Sequence, residues 1–277
     1  MVRVLVTGAS GVVGTILRHH WGQPQETNPP YVLRLADLTQ PADLQPHEEF
    51  VLFDLTDAAD CARVVAGVDT VVHLAADAGS AEEDFVGSLL PRNLLGPYLL
   101  LEAAAAARSV QRVVLASSIY AVRGHAESAL PVATDQPPHP MGLYGASKCW
   151  AEALGRVFAE GTARTPGVAS RSGSSSENLS VIAVRLGNPR MEQGSAAWST
   201  EDATYILTPR DCASLFRRCV DVPKASIPPF LIVHGSSEHR HQFMDIEATK
   251  SWLGWAPQDG TAYPRQATGD LTFNGRM

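Results

Sequence analysis

Three glycines spaced three apart constrain this chain more than any other feature. They lie in Thr7-Gly8-Ala9-Ser10-Gly11-Val12-Val13-Gly14, which follows the apolar run Val2–Thr7 and opens a helical pattern over Val12–His20. A chain that leaves a buried strand through such a turn and enters a helix at once has few folds open to it. Each glycine has a physical task there. Gly8 permits the sharp exit from the strand, Gly11 lets the backbone approach a pyrophosphate, and Gly14 lets the helix pack closely on the sheet. The free N–H groups of the first helical turn, among them those of Val12 and Val13, then face the anion, with Ser10 beside them. A structural turn with no ligand is the alternative reading.

The rest of the first half repeats the strand–helix alternation. Tyr31–Ala36, Glu49–Phe53, Thr70–Ala75, Arg112–Ser117 and Leu179–Arg185 read as strands. Asp57–Ala66, Phe85–Ala107 and Tyr144–Glu160 read as helices, the first N-capped by Asp57 or Thr56. Alternation at this spacing predicts βαβ units with right-handed crossovers, and so an α/β, doubly wound parallel sheet of the Rossmann type. In the C-terminal third, Pro209–Val220 and Asp245–Leu253 read as helices and Pro229–His234 as a strand. These are expected to form a small substrate lobe, mainly 186–277, on a single domain spanning 1–277. Residues 161–178, nearly all Gly, Ser, Thr, Ala and Arg, are expected to be a mobile insertion. The weakly patterned 259–277 stretch is expected to be partly disordered.

Composition excludes several function classes. Acidic residues outnumber basic ones 29 to 22, for a net charge of −7, which argues against a nucleic-acid binder. No apolar run reaches the ~20 residues of a membrane span. The four cysteines contain no C-x-x-C pair, which predicts a reducing, cytoplasmic setting without a zinc site. His239 and His241 form an H-x-H without further ligands in sequence, so no metal is expected.

Asp37 closes the second strand candidate 23 residues after Gly14. An acid about 20 residues past the glycines accepts hydrogen bonds from adenosine ribose hydroxyls and repels a 2′-phosphate. Leu38, Thr39 and Gln40 offer no cation to reverse this, so NAD is the expected cofactor. A capping or solvated Asp37 is the alternative.

Together, TGASGVVG, Asp54-Leu55, His73-Leu74-Ala75-Ala76 and Tyr144-x-x-x-Lys148 resemble the extended short-chain dehydrogenases/reductases, the NAD-dependent epimerase/dehydratase superfamily. The likeness spans roughly residues 1–255. It implies that Asp54 binds the adenine amino group, that the Leu55 backbone meets the ring, and that Leu74, Ala75 and Ala76 line the nicotinamide side. Asp54 as a helix-start acid is the plainer alternative.

Tyr144 and Lys148, four apart on a predicted helix, share a face. A free phenol, with a pKa near 10, is a poor base at neutral pH, and a nearby ammonium favours the phenolate. Tyr144 is thus the expected general base for a substrate hydroxyl, and the resemblance also places Lys148 on the nicotinamide ribose. Ser118, at the end of the preceding strand, is the expected partner of the substrate oxygen, with Ser117 a rival one residue away. The resemblance also suggests that Asn93 supports the lysine. Pro97, which has no N–H to give, would free the Asn93 carbonyl for that relay, unless the helix simply restarts there.

LRLADL, LYGASKCWAE and Trp252-Leu-Gly-Trp-Ala-Pro257 further resemble uronate dehydrogenases, which oxidise the anomeric hydroxyl of a hexuronic acid with NAD. Those enzymes carry a serine where this chain has Asn188, and a carboxylate-gripping arginine where it has Glu201 or Asp202. An acid there would repel a carboxylate, although Arg190 could replace the arginine from another direction. The expected activity is therefore an NAD-dependent oxidoreductase of a sugar or sugar acid. A nucleotide-sugar epimerase or dehydratase retaining its NAD, or a non-catalytic NAD-binding regulator, are the alternatives. The partner is a small molecule, and the resemblance adds a possible homodimer.

Overall fold

A computed structural model describes residues 2–22, 31–45, 48–78, 84–161, 179–191 and 204–261. Residues 162–178, the acids Glu201 and Asp202, and 262–277 lie outside that set, so the expectations placed on them are not addressed.

Seven strands form one parallel sheet. They are β1 (Arg3–Thr7), β2 (Val32–Asp37), β3 (Glu48–Leu52), β4 (Thr70–His73), β5 (Arg112–Ser118), β6 (Ser180–Leu186) and, after two short strands named below, β9 (Phe230–Gly235). Their order is β3-β2-β1-β4-β5-β6-β9, so the winding direction reverses between β1 and β4. The central strands are apolar because both faces are covered: Val4, Leu5 and Val6 of β1 are fully buried. One face packs on α1 (Val12–Trp21) and α5 (Pro209–Asp221) through Ile16, Leu17, Leu215 and Phe216. The other carries α2 (Ala58–Val65), α3 (Gly96–Ala106) and α4 (Gly142–Ala159), with Leu100, Leu101, Leu154 and Phe158 inside. Each large apolar side chain so buried contributes about 1.5–3 kcal/mol.

Local sequence sets the element ends. Asp57 caps α2 by accepting from the N–H groups of Ala59 and Asp60, and Thr208 caps α5 ahead of Pro209. Arg112, buried at the start of β5, gives Nη1 hydrogen bonds to the carbonyls of Cys219, Val220 and Val222 at the end of α5.

Two expectations change. The helix predicted over Phe85–Ala107 is two pieces: a wide π-helical segment, Phe85–Leu95, and then α3. Pro91 lies inside the first and Pro97 in the first turn of α3, and Leu95 and Gly96 between them keep right-handed helical angles, so the run stays helical and changes from π to α bonding at Gly96. Within 186–277, α5 and β9 are part of the main sheet and its core, where a substrate lobe was expected. The remainder of that stretch includes the short pairs β7 (Asn188–Pro189) with β8 (Ile206–Leu207), and β10 (Glu238–His239) with β11 (Gly260–Thr261), plus α6 (Glu247–Leu253). A small cluster of Ile119, Val122, Val132, Phe243 and Met244 fills the space near the carboxyl ends of the strands.

Candidate active site

In a doubly wound sheet, ligands bind outside the carboxyl ends of the strands where the winding reverses. Here that crevice opens beyond Thr7 and His73, between the glycine turn and residues 74–78. Gly8 has φ +69°, and a Cβ there would lie 2.7 Å from the Ala75 nitrogen and 2.9 Å from the Leu74 carbonyl carbon. A Cβ on Gly14 would lie 2.6 Å from the carbonyl oxygens of Gly8 and Ala9. Both glycines are therefore required by backbone approach. Gly11 begins α1 with no side-chain cap and no acid in the first turn, leaving its N–H groups open to an anion.

A buried lock holds the two sides together. The Thr7 hydroxyl lies 2.8 Å from His73 Nδ1 and accepts from the N–H groups of Leu74 and Ala75 at 3.2 and 3.3 Å. Burial pushes the His73 imidazole down to about 3, with the Lys148 ammonium adding to the shift, so the ring is neutral.

At the end of β2, Asp37 accepts from the N–H of Ser10 at 2.9 Å and from that of Leu38 at 2.7 Å. The Ser10 hydroxyl donates to the Thr39 carbonyl at 2.6 Å. Ser10 thus braces the turn against β2 with both of its polar groups. Arg34 is bonded to Glu49 and to the carbonyls of Val64 and Ala66, which holds it against α2. Asp54 is exposed and accepts from the N–H and hydroxyl of Thr56, while Leu55 is buried against Gly96.

Asn93 joins the crevice to α4 through its side chain. Its Oδ1 accepts from the N–H of Asp77 at 2.7 Å, and its Nδ2 donates to the Asp77 carbonyl at 2.8 Å and to the Ser147 hydroxyl at 3.3 Å. Ser147 in turn donates to the Tyr144 carbonyl at 2.7 Å. The expected relay used the Asn93 backbone; the contacts seen here belong to its amide.

Tyr144 is half-buried in the first turn of α4, and Lys148 Nζ lies 5.3 Å from its ring centre. Lys148 is buried and donates to the Ala116 carbonyl at 3.0 Å. The Tyr120 ring meets Tyr144 edge-on at 6.0 Å. A Cβ on Gly145 would lie 2.3 Å from the Tyr120 carbonyl oxygen, so a glycine there brings the helix close to the chain after β5.

The two serines separate cleanly. Ser117 is buried and donates to Glu152 at 2.6 Å. Strand alternation turns Ser118 to the opposite face, where its hydroxyl accepts from the N–H of Tyr120 at 3.2 Å. Asn188 and Arg190 are half-buried in and just after β7, their N–H groups bonded to the carbonyls of Tyr205 and Leu207 at 2.9 and 3.3 Å.

A sequence model of the NAD dependent epimerase/dehydratase family matches residues 4–174. The chain belongs to that family. The match runs from β1 past α4 and so contains the glycine turn and the Tyr144–Lys148 pair. A uronate dehydrogenase from Agrobacterium fabrum is 32% identical over 97% of this chain and 89% of its own length. An NAD-dependent glucose-6-phosphate dehydrogenase from Haloferax volcanii is 29% identical over 98% of this chain and 96% of its own. A solved uronate dehydrogenase from Agrobacterium tumefaciens, a point mutant complexed with NAD, superposes with TM-score 0.75 at 30% identity, covering 94% of this chain and 86% of that one.

Other polar contacts of this family member were not read from its sequence. Glu152 pairs with Arg185 at 2.9 Å through both carboxylate oxygens, and the Thr7–His73 lock was also missed. A usable signal existed for the first: Arg185 interrupts an apolar strand, and a charge buried there requires a counter-ion. Among the described residues, no group of three or more His, Cys, Asp or Glu converges on a metal position, and His239 Nε2 lies 2.8 Å from the Ile206 carbonyl. Nor is any described helix long and apolar enough to cross a membrane.

Proposed function

We propose that the chain is an NAD-dependent dehydrogenase of a small sugar or sugar acid, with Tyr144 withdrawing the proton from a ring hydroxyl. The observation that carries this reading is Tyr144 beside Lys148 at the mouth of a crevice whose opposite wall is a glycine turn that admits no Cβ.

NAD suits the residues present: the N–H groups of Val12 and Val13 would face its pyrophosphate, while that of Gly11 closes the turn on the Gly8 carbonyl at 3.1 Å, and Asp37 would face its adenosine ribose. Asp54 and Leu55 would lie at the adenine, and Leu74, Ala75 and Ala76 at the nicotinamide. When bound, NAD supplies the hydride acceptor. Everything else falls to the chain. Lys148, anchored on the Ala116 carbonyl, keeps its ammonium 5.3 Å from the centre of the phenol ring. Ser118 donates to the substrate oxygen and fixes it toward Tyr144. The Asn93 amide fastens 74–78 to α4, so the two walls of the crevice keep their separation. Asn188 and Arg190, beyond β6, are the proposed contacts for the rest of the sugar.

The test is absorbance at 340 nm with NAD and a panel of neutral sugars, sugar phosphates, aldonates and uronates. NADH accumulates with at least one of them, and Tyr144→Phe lowers that rate by 10²-fold or more. An epimerase or dehydratase returns the hydride and gives no accumulation. Undiminished turnover by Tyr144→Phe, or NAD binding without turnover on any sugar, would overturn the reading.

The proposal includes a cytoplasmic setting, consistent with four free cysteines. It also includes a homodimer. Leu143, Trp150 and Val157 recur every seven residues along α4 and are exposed, beside exposed Val86, Leu90 and Leu95 of the π-helical segment. A contiguous apolar surface of this kind marks an interface. Light scattering of the parent and of Trp150→Glu tests it: the parent should run at twice the monomer mass, and a monomeric parent sinks the dimer.

A further inference from the structure

The turn that follows β5 leaves one aromatic ring uncovered beside the phenol of Tyr144. Ile119–Ala121 is a single 3₁₀ turn whose outer members, Ile119 and Ala121, are buried. Ile119 packs with Val122, Val132, Phe243 and Met244. Tyr120, between them, is left 44% exposed. Its main chain is held from both sides of the site. The Tyr120 N–H donates to the Ser118 hydroxyl at 3.2 Å, and its carbonyl accepts at 2.9 Å from the N–H of Met141, the residue that opens α4. Gly145 brings α4 up to that same carbonyl, since a Cβ there would stand 2.3 Å from the oxygen. The Tyr120 ring meets that of Tyr144 at 6.0 Å between centres, with 75° between their planes.

Single exposed apolar residues are ordinary on a protein surface. Tyr120 differs because its backbone is tied to Ser118 on one side and to the start of α4 on the other. A ring so placed can brace Tyr144, which needs only the edge-on contact. It can also receive a ligand on the surface that Tyr144 leaves uncovered. A closed sugar ring carries its hydroxyls around the rim and bare C–H groups on its faces. Those C–H groups are slightly positive because each carbon bears oxygen, and the face of an aromatic ring is negative. The two faces therefore attract each other as well as exclude water. Sites for small ligands combine such aromatic walls with a few placed polar groups, a part that Ser118 and Tyr144 fill here. An aromatic ring whose backbone is fixed beforehand gives up little freedom on binding.

We propose that Tyr120 is a specificity-determining residue, its ring being the platform for the C–H face of a closed sugar ring while Ser118 and Tyr144 hold the hydroxyl to be oxidised. The proposal rests on the dehydrogenase reading and adds the form of the substrate: a cyclic sugar with an unbroken C–H face, in place of an open-chain hydroxy compound. The carbons lying on the platform take no part in the bond changes, so the contact is alike before and during hydride transfer. Its loss therefore appears in KM more than in kcat. The face of the ring carries the contact, and the Tyr120 hydroxyl has no part in it.

The experiment measures kcat and KM for the best sugar found, at saturating NAD, in the parent, Tyr120→Phe, Tyr120→Leu and Tyr120→Ala. The groups that fasten residue 120 belong to the main chain and remain in every variant, so each should fold, and thermal melts check it. Tyr120→Leu keeps bulk against Tyr144 but presents no flat face. Tyr120→Leu and Tyr120→Ala should raise KM about tenfold or more while kcat falls about threefold or less, and Tyr120→Phe should bring KM back to within about threefold of the parent. A ring that only braces Tyr144 would lower kcat and leave KM in place, and that result overturns the proposal. So does a Tyr120→Phe as poor as Tyr120→Ala, which would give the contact to the hydroxyl, and so does a Tyr120→Leu as good as the parent. Calorimetry separates this proposal from the function reading. D-glucose, D-galacturonate and glucose 6-phosphate are titrated into the NAD complexes of Tyr144→Phe and of Tyr144→Phe combined with Tyr120→Leu, which reads binding without turnover. Binding that weakens about tenfold in the second protein supports the platform whatever the parent does with NAD, and equal binding or none in both overturns it. A parent that reduces no NAD with any sugar overturns the function reading instead.

Discussion

Gly8→Ala isolates the closest approach in the crevice. Two costs add at this position. The φ of +69° is a left-handed conformation, which a residue with a Cβ adopts at about 1–2 kcal/mol. The new Cβ would also stand 2.7 Å from the Ala75 nitrogen and 2.9 Å from the Leu74 carbonyl carbon. Both are backbone atoms fastened by the Thr7 hydroxyl, so they cannot swing aside as a flexible side chain would. Forcing extra volume into such a contact costs roughly 1–3 kcal/mol more. The sum, about 2–5 kcal/mol, corresponds to a drop in Tm of about 3–9 °C for a chain of this size. Gly254→Ala is the internal control. Gly254 has φ +57°, but a Cβ there meets nothing within 4 Å, so only the conformational cost of about 1–2 kcal/mol applies. Thermal melts with and without NAD, together with calorimetric NAD binding, compare the two. Gly8→Ala should melt well below Gly254→Ala and bind NAD at least tenfold more weakly, while Gly254→Ala keeps the parent affinity. Equal melting points and unchanged NAD binding in both variants would refute the reasoning from close approach.

Three further outcomes follow from the same structure. Ser118→Ala should lower kcat by ten- to a thousandfold with little change in Tm, whereas Ser117→Ala should cost about 1–2 kcal/mol of stability through the loss of one buried donor to Glu152; the reverse pattern would reassign the substrate contact. Asp37→Ala should weaken NAD binding at least tenfold and narrow the preference over NADP, and an unchanged ratio would remove Asp37 from the ribose. His73 and His234 are both held neutral in the folded chain, down to about pH 3, whereas an unfolded histidine gains its proton near 6.5. Their stabilisation is therefore complete above pH 6.5 and is lost as the pH falls toward 3, by up to about 1.4 kcal/mol per unit for each ring. Melting curves should decline between pH 6.5 and 5 and decline less steeply in His234→Asn; a flat profile over that range contradicts the assignment of both rings as neutral.

The sequence was most informative where a residue's task is local. The glycine turn, the acid closing β2, and Tyr144 with Lys148 on one helix face could all be placed because backbone geometry and short spacing dictate them. Element ends mostly agreed within one or two residues, since caps such as Asp57 and Thr208 mark them. What remained hidden depends on contacts far apart along the chain. Ser117 and Ser118 are equivalent as text, and only the pairing of Arg185 with Glu152, brought together by the β5–β6 register and the α4 packing, takes one hydroxyl away. Thr7 and His73 are 66 residues apart and become a lock only when β1 and β4 lie side by side. Phe85–Ala107 looked like an ordinary helix because its apolar content is continuous, and the change from π to α bonding at Gly96 leaves no mark in that content. The C-terminal third looked like a lobe because its elements are short and irregularly spaced, although β9 extends the same sheet.

Arg112 bears on how far this architecture can be reduced. The family match ends near residue 174, which invites trimming the protein to a minimal nucleotide-binding half. Yet a guanidinium at the foot of β5 finds its acceptors more than a hundred residues downstream, at the tail of α5. Cut the chain before α5 and that cation stays sealed against the sheet with three oxygens missing. The halves of this molecule are therefore not interchangeable modules, and swapping the C-terminal portion between relatives would have to carry the counterpart of Arg112 along with it.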